Sequence, residues 1–78
     1  MKATEFIRTL HSSRIFIEYV GERDSSRKGY VRLNFEVPTQ DYEFMKGFCK
    51  GAGVDKWLSY KHELDEEGYF VSVLVKED

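Results

Sequence analysis

Seventy-eight residues, 41% of them hydrophobic and 15% aromatic with a single proline, suffice for one folded domain spanning 1–78 and leave no room for a second. This composition excludes a disordered chain, and apolar runs of only a few residues exclude a membrane-spanning helix, which requires about 20. One cysteine excludes an internal disulfide, and with no signal-like succession at the start of the chain the expected location is reducing and cytoplasmic.

The net charge of −2 is unevenly spread: residues 1–35 carry 7 basic and 4 acidic side chains, residues 36–78 carry 5 and 10. The halves are thus +3 and −5, a split that orients encounters with a charged partner without specifying the fold.

Ala3, Phe6, Ile7 and Leu10 recur at the i, i+3, i+4, i+7 spacing of one helical face, which predicts a short amphipathic helix over 2–11. "RIFIEYV", residues 14–20, is dense in β-branched and aromatic side chains. "GYVRLNFEV", 29–37, alternates, with Val31, Leu33, Phe35 and Val37 on one face. Both read as strands of a hairpin, joined by a polar loop, "GERDSSRKG", with nothing apolar to bury.

Pro38 ends the second strand, and Thr39 is placed to N-cap a second helix with Asp41 and Glu43 in its first turn. Phe44, Met45, Phe48, Cys49 and Ala52 form its inward stripe, so Cys49 belongs to the core; Gly51 or Gly53 supplies the C-terminal cap. The close glycines in "EFMKGFCKGAG" follow a helix. A phosphate-binding loop places them before one, and a reactive thiolate requires a base and a lowered pKa that this position does not provide.

"KWLSYKHEL", 56–64, and "GYFVSVLVK", 68–76, form a second hairpin across the acidic turn Asp65–Gly68. The element order is αββαββ. The expected architecture is an α+β two-layer sandwich with a four-stranded antiparallel sheet and both helices on one face, a circular permutation of the ferredoxin-like order. "EFIR" at 5 and "EFMK" at 43, with "GYVRLNFEV" at 29 and "GYFVSVLVK" at 68, suggest an internal αββ pseudo-repeat.

With helices on one face, the alternation leaves Phe16, Trp57, Phe70 and Leu74 on the other, beside Tyr30, Arg32, Lys61 and Lys76. An apolar patch of that extent on a small domain marks an interaction surface; a strand register shifted by one residue would send the same side chains into the core. Glu63, Asp65, Glu66 and Glu67 form an acidic edge without the ligand spacing of a calcium loop. His11, His62 and Cys49 are too scattered for a zinc site or a nucleophilic dyad, so no catalytic residue, metal or cofactor is assigned.

The expectation is a non-enzymatic protein-binding module that occludes or assembles a larger machine, as small phage-type inhibitors of host defence systems do, with Trp57 as anchor and a second copy of the chain among its candidate partners. A variant uses Glu63, Asp65, Glu66, Glu67, Glu77 and Asp78 to mimic nucleic acid. The alternative is a single-stranded nucleic-acid binder in which Tyr30, Trp57 and Phe70 stack on bases while Arg23, Arg27, Lys28 and Arg32 meet phosphates; overall acidity weighs against it.

Overall fold

The computed structural model describes residues 1–54, 56–61 and 68–78, and of Lys56 and residues 58–61 the backbone alone. The chain runs α1 (Ala3–Ser13), β1 (Glu18–Asp24), β2 (Tyr30–Pro38), a single 3-10 turn (Thr39–Asp41), α2 (Tyr42–Gly51), β3 (Lys56–Lys61) and β4 (Gly68–Lys76). Neighbouring strands are antiparallel in the order β1-β2-β4-β3.

Among the described residues only β2 and β4 send fully buried side chains into the core beneath the helices, with Tyr19 of β1 and Trp57 of β3 at its margin, which corrects the expectation of a uniform four-stranded layer. Lys56–Lys61 adds its backbone along β4, and Trp57 is the one residue of that strand whose side chain is described. The alternation in 56–64 resembles that of 68–76, so the sequence assigns both strands equal weight. His62 and Leu64, and the turn from Asp65, lie outside the described residues.

The inward row of β2 is Val31, Leu33, Phe35 and Val37, and that of β4 is Val71, Val73 and Val75, all buried. From the helices Ala3, Phe6, Leu10, Met45 and Cys49 close the other side, with Phe44, Phe48, Ile7 and Ala52 at the margin. Phe6 is the pivot: its ring centroid lies 5.9 Å from Phe35 and 5.0 Å, edge-on, from Phe48. Edge-to-face pairing of this kind adds about 1 kcal/mol beyond burial.

Helix α1 runs two residues past its predicted end and the chain then turns at once, Ile17 N–H donating to the Arg14 carbonyl at 3.3 Å. The predicted strand at 14–20 is therefore displaced to Glu18–Asp24, and Gly21–Asp24, read as loop, belong to it. Pairing with β2 outweighs the β-propensity of "RIFI". The turn is fixed by His11, whose Nε2 donates to the Ile17 carbonyl at 2.9 Å, and by Arg14, which meets Asp41 at 3.5 Å and lies 4.0 Å over the Phe44 ring.

Thr39 does not cap α2. Pro38 leads into the 3-10 turn, the helix begins at Tyr42, and buried Asp41 is its N-cap residue without a side-chain cap hydrogen bond. At the other end Val54 N–H reaches the Cys49 carbonyl and Gly53 N–H the Lys50 carbonyl, each at 3.2 Å, with Gly53 at φ +70°. This is a Schellman cap and selects Gly53 over Gly51.

The suggested repeat is out of phase in space. Tyr69 is on the helix side, stacked 4.0 Å from Tyr42, whereas Tyr30 falls in register with Arg32 on the opposite side. The matched Gly-Tyr pairs thus point to opposite faces of the sheet.

Candidate protein-interaction surface

Two surfaces stand apart from the core. The first is the sheet face away from the helices, which strand register resolves into rows. Arg23 of β1, Arg32 of β2 and Leu74 of β4 share one row; Gly21, Asn34 and Ser72 share the next; Glu18, Glu36 and Phe70 share the third. Tyr30 and Lys76 pair beyond the arginine row.

This face is more filled than a solvated one. Asn34, Ser72 and Leu74 are all buried, Phe70 is half-buried, and Arg32, Glu36 and Lys76 are exposed. The Ser72 hydroxyl is buried and has no hydrogen-bond partner among the described residues.

The second surface is the α1–β1 turn and the start of the edge strand. Ile15 is 76% exposed, Phe16 73% and Val20 52%. Phe16 is thus on the turn, not on the sheet face where the sequence put it. Val20 is thrown outward by a β-bulge, since the pairing passes from Tyr19 opposite Phe35 to Gly21 opposite Asn34 and leaves Val20 as the extra residue. A bulge with charged neighbours Glu18, Glu22 and Arg23 blunts the free edge of β1 against strand addition, so recognition here proceeds through side chains.

Trp57 is corrected in position. It pairs with Val73, on the helix side, packs partly against the core, and its ring lies 6.0 Å from that of Tyr42. The register is the alternative one that the sequence left open for this strand. As a result Tyr30, Trp57 and Phe70 do not share a face, and Tyr30 and Phe70 stand at opposite ends of theirs. The Arg27 guanidinium covers the Tyr30 ring at 4.1 Å. Lys61, Glu63, Asp65, Glu66 and Glu67 fall where no side chain is described.

Burial pushes the Cys49 thiol up to about 12, as its core position requires. Beside α1, a cavity of about 400 Å³ is lined by Glu22, Asp24, Glu77 and Asp78 over Ala3, Ile7 and Val31. Asp78 accepts from both the N–H and the hydroxyl of Thr4, and these bonds hold its carboxyl below the usual range. Among the described residues no cluster of three or more His, Cys, Asp or Glu side chains is arranged to hold a metal ion, and no helix is long and apolar enough to cross a membrane.

Sequence reasoning missed Ile15 and Val20. The sole signal for Val20 was the following Gly21, since a glycine inside a strand often marks a bulge. No protein-family model, curated protein sequence or solved structure matches the chain.

Proposed function

We propose that the protein is a non-enzymatic binding module that docks on a larger protein through the Ile15–Phe16–Val20 surface, with Phe16 as anchor in place of Trp57. One observation carries this reading: three large apolar side chains within six residues are each more than half exposed, while Phe6, Leu10, Ile17 and Phe35 beside them in the fold are fully buried. A domain of this size has no surplus of apolar side chains to leave in water, so a convex aromatic knuckle on a fixed turn fits an apolar pocket in a partner. The turn is held by Arg14 and His11, so little conformational entropy is lost on docking.

The test is a comparison of the wild type with the Ile15→Ser, Phe16→Ser double variant, immobilised and exposed to extract of its source cell. The expected outcome is one stoichiometric protein retained by the wild type and lost by the variant, with melting temperatures within a few degrees. Equal retention by both, or salt-labile retention of nucleic acid with no protein, overturns the proposal.

A further inference from the structure

Charged side chains are sorted by face at one end of the sheet, where β1 ends, β2 begins and β4 ends. Towards the helices, Glu22, Asp24, Glu77 and Asp78 line the cavity beside α1. On the other face the register sets Arg23 of β1 directly opposite Arg32 of β2 and, one row further out, Tyr30 of β2 opposite Lys76 of β4. Arg23, Arg32 and Lys76 are exposed, and none has an ion-pair partner among the described residues. Side chains opposed across an antiparallel pair are about 5 Å apart at Cβ, so the two arginines repel each other in the isolated chain. The carboxylates on their own face, Glu18 and Glu36, lie two rows away, about 13 Å at strand rise. That exceeds the screening length of about 8 Å at physiological salt, so they do little to neutralise the arginines.

We propose that this end of the face binds single-stranded nucleic acid. Arg23 and Arg32 converge on one phosphate, and Lys76 stands one row, about 7 Å, further out, so a backbone running off the end of the sheet meets cations in succession. Tyr30 shares the Lys76 row and is half-buried, with the Arg27 guanidinium 4.1 Å over its ring. Aromatic rings and guanidinium planes are the platforms on which unpaired bases stack. An acidic protein segment would engage the cations and leave that platform idle. The net charge of −2, which weighs against nucleic acid in the sequence, loses its force here because the carboxylates at this end of the sheet lie on its other face. The surface uses residues other than Ile15, Phe16 and Val20 and does not depend on the reading proposed for them.

The experiment is fluorescence anisotropy of a labelled oligothymidylate of about 12 nucleotides titrated with the full chain and its variants at several salt concentrations. The wild type is expected to bind with a dissociation constant of about 10–100 μM in low salt, and three phosphate contacts set a log–log salt slope of about −2. Arg23→Gln and Arg32→Gln should each weaken binding and reduce the slope by about 0.7, whereas Tyr30→Leu should weaken it about tenfold and leave the slope unchanged. Each arginine variant removes one member of a like-charged pair, so its melting temperature is not expected to fall. The proposal is overturned by no binding at about 100 μM chain, or by arginine variants that bind like the wild type. It is also overturned if Tyr30→Leu has no effect, or if a polyglutamate peptide of the same charge binds equally well, since either outcome leaves charge alone and points to an acidic protein.

Discussion

Cys49 shows how a residue that looks reactive in sequence becomes inert in space. It lies between Lys46 and Lys50 in the chain, yet its sulfur is turned into the core between α2 and the sheet, and burial raises its pKa from 9.0 to about 12. Native protein is therefore expected to react with a thiol reagent only after opening, at a rate orders of magnitude below that of the denatured chain. The pH dependence follows. Between 9 and about 12 the unfolded thiol is ionised while the folded one keeps its proton, so the native state binds more protons and stability falls as pH rises. The contribution is complete below pH 9, and its loss has a limiting slope of about 1.4 kcal/mol per pH unit. Denaturation of the wild type and Cys49→Ala in parallel isolates this slope: the variant starts less stable, by about 1–2 kcal/mol for the small cavity, and the gap narrows above pH 9. A gap that does not change with pH, or rapid native labelling, would place the thiol in solvent.

Among the elements, the first hairpin departs furthest from its sequence reading. Gly21–Asp24 look like loop because glycine and three charged residues carry no β signal, but they complete β1 through pairing with Val31–Asn34. The connection proper is Ser25–Gly29, where the Ser25 hydroxyl accepts from Arg27 N–H at 2.8 Å and Gly29 adopts φ +83°. Replacing Ser25–Lys28 with a glycine-rich turn of equal length should change the melting temperature by only a few degrees. Replacing Glu22–Lys28 removes the second half of β1 and should lower it by more than 10 °C, about 2 kcal/mol in a domain of this size. Thermal melts of the two variants decide; equal effects would mean that the Gly21–Asp24 pairing contributes nothing.

On the scale of the whole molecule, Trp57 links β3 to the rest of the domain. It pairs with Val73 and lies against Tyr42, which in turn stacks on Tyr69, so the three rings join the start of α2 to the β3 and β4 side of the sheet. Trp57→Ala is expected to cost about 2–4 kcal/mol, short of the full value for a core tryptophan because the side chain is only half-buried. In a domain of this length that is a fall of at least about 10 °C, with partner capture through Phe16 unchanged in the population that remains folded. An unaltered melting temperature would return Trp57 to the open face.

The periodic parts of this fold were legible in the sequence. The buried stripes of both helices, the alternation of 31–37 and 69–75, and a glycine cap after Cys49 all follow from local periods of 3.6 and 2 that any packed arrangement must respect. Boundaries without such a period were not. "RIFI" has strand propensity and forms a turn because α1 runs on to Ser13 and β1 pairs with β2 only from Glu18; Thr39 has capping chemistry and enters a 3-10 turn instead. The face taken by Trp57 depends on a one-residue choice of register to which alternation is blind, since shifting a strand by one inverts every side chain without changing its pattern. Cross-strand neighbours were equally hidden. That Arg23 meets Arg32 and Glu18 meets Glu36 depends on a bulge at Val20 and on which strands lie adjacent, quantities set by long-range pairing and absent from any local window of the chain.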